Sequence, residues 1–273
     1  MVTFLYLFLA GLVGGFVAGL VGIGGGIVYI FIIPLALRFM GAPEQEIAQY
    51  TIANSIFAIF FASASVNYTQ IKMKNFYLRP VLIIGAFAVV SSLLTLQFIV
   101  NTSWYSVKVF NIVVIILLFY MLAFTLFSAK KNYRFPLDKL KIWHYALVGL
   151  TSGVVASVSG LGGGIVIIPM LNTLMKIDIK KASSVSSGVI MISAIVMTLF
   201  NMLETTRSSF QNYNIGYIVF PVVFALAAGV ILASGFGVRT AAKLSSKNIS
   251  YIYAFFLTIV IFKKVIELIY VYK

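Results

Sequence analysis

The sequence predicts an all-α polytopic membrane fold made of two inverted repeats, each a glycine-broken re-entrant hairpin followed by three transmembrane helices. Three observations predict it: an apolar excess, a glycine motif that recurs at constant offset, and the distribution of Lys and Arg. Of 273 residues, 62% are hydrophobic and 10% charged, and the mean hydropathy is +1.07. Soluble domains carry about 45–50% apolar and about 25% charged residues. A chain this apolar cannot hide its surface from water, so lipid is the solvent for most of it. A spanning helix needs roughly 20 mainly apolar residues, and there is room for about eight such units with short connections.

A net charge of +14 would suggest nucleic-acid binding in a soluble protein. Here Lys and Arg sit mostly between apolar runs, which the positive-inside rule explains without any nucleic acid. The absence of cysteine excludes disulfides and thiolate metal sites. The first run begins Met1-Val2-Thr3-Phe4 with no positive leader and no small-residue cleavage site, so it is read as structure and not as a removable signal.

The repeat is visible by eye. Residues 11–28 read GLVGGFVAGLVGIGGGIV and residues 149–166 read GLTSGVVASVSGLGGGIV, which places Gly22, Gly24, Gly25 and Gly26 on Gly160, Gly162, Gly163 and Gly164. Pro34 and Pro169 follow. Next comes a helix rich in small polar residues (48–67, then 182–201) and two more apolar runs (78–98 and 104–127, then 214–235 and 249–270). Residues 1–273 thus form a single membrane domain: repeat one at 1–127, a basic cytoplasmic linker at 128–142, and repeat two at 143–273.

The segment 3–39 is too long for one crossing and is interrupted at 22–26. Glycine opposes helix by about 1 kcal/mol relative to Ala, so four in five residues should break it. Charge decides between a broken helix and a hairpin. The connections 67–79, 128–142, 176–181 and 236–248 are rich in Lys and Arg; 40–46, 99–107 and 203–213 are poor. With the rich ones on the cytoplasmic face, both ends of 143–175 lie inside, so that segment returns to the face it entered from. By the repeat, 3–39 does so from the other face. Inverted repeats with discontinuous elements at the midplane recur among transporters.

The candidate site follows. In each hairpin the glycines come at the turn, so the second arm starts a helix deep in the bilayer. Free N–H groups at a helix start bind anions without a charged side chain, and glycine lets the backbone come close. The predicted substrate-binding residues are therefore Gly22, Gly24, Gly25, Gly26, Gly160, Gly162, Gly163 and Gly164. To these are added Thr51, Asn54 and Ser55 from the first polar helix and Ser183, Ser186 and Ser187 from the second. Interhelical hydrogen bonding would also account for those hydroxyls and amides. The stripes Gly11, Gly15, Gly19 and Gly149, Gly153, Ser157 are read as packing faces.

The acids Glu44, Glu46, Asp138, Asp178 and Glu204 sit in connections or at span edges, which disfavours a cation path or a carboxylate proton relay. Lys263 and Lys264, within the last apolar run, are read as snorkelling to an interface. A Ser159/His144 hydrolase pair is weak, because repeat one has Val21 where Ser159 stands. One histidine and no cysteine leave no metal site. The glycine motifs follow no strand, so they are not dinucleotide or phosphate loops.

With the two motifs Gly22-Ile23-Gly24-Gly25-Gly26 and Gly160-Leu161-Gly162-Gly163-Gly164, and with Gly235-Phe236-Gly237-Val238-Arg239 near the end of the seventh segment, the whole chain resembles the TauE/SafE sulfite exporter family. Ala182-Ser183-Ser184-Val185-Ser186 fits the family pattern more closely than Ala48-Gln49-Tyr50-Thr51-Ile52. The resemblance implies transport of sulfite, thiosulfate, sulfonates or related anions through the plasma (inner) membrane. The expectation is a multi-pass secondary transporter, not an enzyme, with no cofactor. Its partners are the bilayer and a small anion, with a proton or sodium ion as candidate coupling partner. An anion channel and an intramembrane serine hydrolase are the alternatives.

Overall fold

The computed structural model describes residues 2–128, 136–137, 140–207, 210 and 213–271. In chain order the elements are α1 (Val2–Val21), α2 (Gly26–Phe39), α3 (Ile47–Lys72), α4 (Leu78–Thr95), α5 (Val107–Ser128), α6 (Ile142–Ser159), α7 (Gly164–Pro169), α8 (Ile179–Leu203), β1 (Asn214–Ile215), β2 (Ile218–Val219), α9 (Phe220–Lys243) and α10 (Ser246–Val271). α4 and α7 run on as single π-turns, Leu96–Val100 and Met170–Leu174. Among the described residues, seven helices are long and apolar enough to cross a membrane: α1, α3, α4, α5, α6, α8 and α9. The protein is an all-α polytopic membrane protein. Most of the linker 128–142 and the side chains of Lys263 and Lys264 lie outside the described residues, as does Asp138.

The glycine motifs break their helices as expected. Gly22, Gly24 and Gly25 have φ of 81°, 85° and 75°, and Gly160 and Gly162 have 64° and 79°. A residue with a β-carbon pays about 1–2 kcal/mol for that region, which ends α1 and α6 here. α2 and α7 start directly after the turns.

The small-residue stripes bring backbones together. A β-carbon on Gly15 would lie 2.7 Å from Val230 Cα, and one on Gly149 would lie 2.5 Å from the Ile84 carbonyl oxygen. Gly11, Gly15 and Gly19 meet Leu226, Val230 and Ser234 in that order, so α1 runs parallel to α9. Gly149 and Gly153 meet Ile84 and Ala88 in the same sense, so α6 runs parallel to α4. The largest helix contacts have counterparts. α1–α9 matches α6–α4, α3–α9 matches α8–α4, and α2–α3 matches α7–α8; α3–α8 and α5–α10 pair the halves directly.

One expectation is corrected. Residues 214–219 form a two-residue antiparallel ladder, not the start of a span. The Asn54 side chain on α3 takes up this backbone, donating to the Tyr217 carbonyl (2.9 Å) and accepting from the Val219 N–H (2.7 Å). Gly216 turns the ladder with φ of 54°. With Pro221 in its first turn, α9 begins only at Phe220.

The connections sort onto two faces. On the cation-poor face Glu46 accepts from the Arg207 N–H (2.9 Å), Arg207 donates to the Asn101 carbonyl (2.6 Å), and Gln49 donates to the carbonyls of Val100 and Tyr105. On the cation-rich face Lys180 Nζ reaches the Ala242 carbonyl (3.2 Å), and Ser184 donates to the Asn75 carbonyl.

Candidate functional site

The glycine turns of the two halves touch. A β-carbon on Gly26 would lie 2.6 Å from the Leu161 carbonyl oxygen, and one on Gly164 would lie 2.9 Å from Ile23 Cα. Residues 22–26 and 160–164 are all buried. Each turn is held by a hydroxyl from the other half: Ser186 donates to the Gly22 carbonyl (2.9 Å) and Ser55 to the Gly160 carbonyl (2.6 Å). Both bonds satisfy carbonyls, so they fix the turns while leaving the amides untouched.

The amides are the notable groups. Gly22 and Gly160 donate within their own helix ends, to Ala18 and Ala156, and Leu161 donates to the Ser159 hydroxyl. The N–H groups of Ile23, Gly24, Gly25 and Gly26, and of Gly162, Gly163 and Gly164, find no acceptor among the described residues. A buried amide without an acceptor is rare and costs about 1–3 kcal/mol. Seven in one place are a concentrated donor field. Two helix starts, α2 and α7, add their partial positive charge. Isoleucine side chains close over the turns: Ile59 lies against Gly24 and Gly26, and Ile190 against Gly164.

A cavity of about 350 Å³ leads toward this centre from the cation-rich face. It is lined by exposed Lys180, by the half-buried Lys181, Asp178, Asn75, Tyr77 and Ser183, and by the buried Gln70 and Val21. Ser183 borders Gly22, where an added β-carbon would lie 2.8 Å from the Ser183 carbonyl oxygen. The cavity therefore reaches the edge of the first glycine turn.

The structure brings together Gly22, Gly24, Gly25, Gly26, Gly160, Gly162, Gly163, Gly164, Ser55, Ser183 and Ser186. Thr51 is fully buried, and its hydroxyl makes no hydrogen bond. Asn54 is committed elsewhere, to the carbonyls of Tyr50 and Tyr217 and the N–H of Val219. Ser187 is occupied as well, donating to Asn67 Oδ1 (2.8 Å), and Asn67 in turn donates to the Ser187 carbonyl. Asn67 thus ties α3 to α8 and does not end its helix, which continues to Lys72. Sequence reasoning missed Ile59, Ile190, Gln70 and the burial of Glu46. Alternating depth along α3 and α8 is not readable from residues that are polar on some faces and apolar on the rest.

The hydrolase pairing is absent from the geometry. His144 opens α6, stacked on Trp143, with Nδ1 accepting from the Lys141 N–H. Ser159 closes the same helix and donates to the Val155 carbonyl. At 1.5 Å per residue the two are about 22 Å apart.

Fold and site together define a polytopic membrane transporter with a donor-rich, uncharged centre. The chain belongs to the sulfite exporter TauE/SafE family, whose sequence profile matches residues 7–263. The family is one of transporters for small anions, not of enzymes. The chain is similar to a probable membrane transporter protein of Methanocaldococcus jannaschii, at 28% identity over 250 residues, covering 89% of this chain and 88% of that one. It is also similar to a probable membrane transporter protein of Haemophilus influenzae, at 29% identity over 267 residues, covering 95% and 97%.

Proposed function

We propose that the protein is a secondary transporter that moves a small sulfur-containing or organic anion, of the sulfite, thiosulfate or sulfonate type, across the plasma membrane by alternating access. The observation that carries this reading is the set of seven amides without acceptors at the contact between the glycine turns. An oxyanion offers several strong acceptor oxygens, and hydrogen bonds to a charged group are worth about 1.5–3 kcal/mol each. The Thr51 hydroxyl and the hydroxyls of Ser55, Ser183 and Ser186 lie on the helices that frame these turns. The family description supplies the sulfur; the donor field supports an anion of any such shape.

In this reading the single membrane domain 1–273 consists of inverted repeats 1–127 and 143–273. The parallel packing of α1 on α9 and of α6 on α4, and the matched contact pattern, support hairpins that enter from opposite faces. The cavity on the cation-rich face makes the described state open toward that side, the cytoplasmic side by the positive-inside rule. Lys180 and Lys181 would draw the anion into it. Ile59 and Ile190 must withdraw for the anion to reach the amides. A proton or sodium ion is the candidate coupling partner.

Uptake of radiolabelled sulfite, thiosulfate and taurine into proteoliposomes, competed by sulfate and acetate, tests the reading. Saturable flux of a sulfur oxyanion, lost in Gly25→Val and Gly163→Val proteins that still insert and run as monodisperse species, is expected. Unchanged sulfite flux in both variants would remove the glycine turns from the site. Single-channel currents would replace the carrier with a channel.

A further inference from the structure

The turn that precedes α3 and the turn that precedes α8 occupy equivalent places, one in each half, and each ends in an acid followed by Ile: Glu46-Ile47 and Asp178-Ile179. The two carboxylates make different bonds. Asp178 caps its own helix, accepting from the N–H groups of Lys180 (2.9 Å) and Lys181 (3.3 Å), and it lines the open cavity. Glu46 makes no capping bond to α3, although it holds the same position at the helix head. It reaches instead into the other half, where it accepts from the Tyr217 hydroxyl (2.9 Å) and the Arg207 N–H (2.9 Å), and it is 3% exposed.

The partners of Glu46 also have counterparts. Tyr217 lies three residues before α9, and Asn75 lies three residues before α4, with Tyr77 beside it. Asn75 and Tyr77 line the same cavity as Asp178. On the cation-poor face, carboxylate and opposing connection are bonded; on the cation-rich face Asp178 bonds only its own helix, and the 75–77 connection is held further along α8, by Ser184 on the Asn75 carbonyl. One structure therefore holds both arrangements of one device.

We propose that Glu46 and Asp178 are the paired gate residues of this transporter, each capping its own helix while its face is open and crossing to the connection of the other half when its face closes. The proposal rests on the alternating-access reading above. It assigns Glu46 to closure around Tyr217 and Arg207, and Asp178 to closure around the 75–77 connection. The exchange trades two backbone N–H bonds for two bonds across the gate, so neither state leaves the carboxylate without donors. A bistable element of this kind can be moved by a modest bias from bound substrate. The side-chain lengths fit the roles. Aspartate is among the best helix caps, and glutamate, one methylene longer, has the reach for a crossing.

The test exchanges the two acids. The chain has no cysteine, so single reporters can be placed freely. Ala48→Cys, fully buried under the closed face, and Ala241→Cys, on the cavity wall, are labelled with a maleimide in nanodiscs at one fixed pH. Glu46→Asp retains a cap and loses reach, so Ala48→Cys should label roughly tenfold faster and Ala241→Cys more slowly. Asp178→Glu gains reach and should slow Ala241→Cys while speeding Ala48→Cys. Tyr217→Phe, which keeps the ring, should act like Glu46→Asp. If the exchanges and Tyr217→Phe leave both rates unchanged, or move them together, while sulfite or thiosulfate still shifts them in opposite directions, the gate assignment is overturned and the transport reading stands. If neither substrate nor any variant moves the rates, both are overturned.

Discussion

At the cation-poor end of the molecule Glu46 is 3% exposed beneath Tyr217, whereas at the cation-rich end Asp178, its equivalent in the other half, borders a cavity of about 350 Å³. The chemistry at the two heads is the same: an acid, an isoleucine, a polar helix and an aromatic connection opposite. What differs is whether the carboxylate bonds the opposing connection, as Glu46 does, or its own helix, as Asp178 does. Between the heads, the glycine turns are held alike, with reciprocal bonds from Ser55 and Ser186, and differ at Gly25, which is left-handed, and Gly163, which is not. The molecule is thus nearly symmetric where it would hold a ligand and asymmetric where it would admit one. A repeat protein can store two states in one sequence by letting its halves adopt them in turn.

The largest effects should fall on what the halves share. Gly15→Val and Gly153→Val drive a side chain into the backbones of α9 and α4, and each should cost about 3 kcal/mol or more, at the upper end for overpacking. Fluorescence-detected size exclusion should show loss of the folded peak in both. A folded, wild-type-like Gly153→Val protein would break the claim that the two stripes are equivalent.

The gates should respond unequally. Tyr217→Phe removes a donor from a buried carboxylate and should lower stability by about 1–3 kcal/mol. Tyr77→Phe, at the open face, should stay within about 0.5 kcal/mol. Melting temperatures in detergent read both. Burial, and after it the Glu46 carboxylate, pushes the Tyr217 phenol above its ordinary value, so it remains a neutral donor throughout the working pH range, and the Tyr217→Phe penalty should not change between pH 6 and 9.

A smaller effect is expected at the cavity. Lys180→Ala should weaken sulfite capture from the cation-rich side a fewfold at low salt, and the difference should shrink near 1 M salt as charges are screened. Initial uptake rates measure it. Smallest is Thr51→Val: losing a hydroxyl that has no partner should leave stability unchanged or raise it by up to about 1 kcal/mol. Sulfite affinity, measured by calorimetry, should nevertheless fall.

The helical breaks and the packing stripes were legible in the sequence because both rest on the missing β-carbon of glycine, a property local to each residue. The grouping of connections by charge was legible because lipid forces cations to the ends of spans. The ladder at 214–219 was not, since Tyr217-Ile218-Val219 is as apolar as the helix that follows. Its fate is set by the Asn54 amide, far away in the chain. Asn54 and Ser187 read as ligand contacts because they sit among small polar residues; their rotation about the helix, which turns them to Tyr217 and Asn67, is a tertiary fact. Glu46 reads as an edge residue, and nothing in its neighbours announces that Arg207 and Tyr217 bond to it. Ile59 and Ile190 carry no signal that separates them from the other apolar residues of their helices, yet they close over the glycine turns.

The central claim is that the two faces open in alternation around the glycine turns. Spin-label pairs at Gln45 and Thr205 on one face and at Lys74 and Lys243 on the other, all exposed, measure it by pulsed dipolar distances in nanodiscs with and without sulfite. Sulfite should lengthen the first distance in a growing fraction of molecules while shortening the second in the same fraction. Distances that do not move, or that lengthen together, would contradict it.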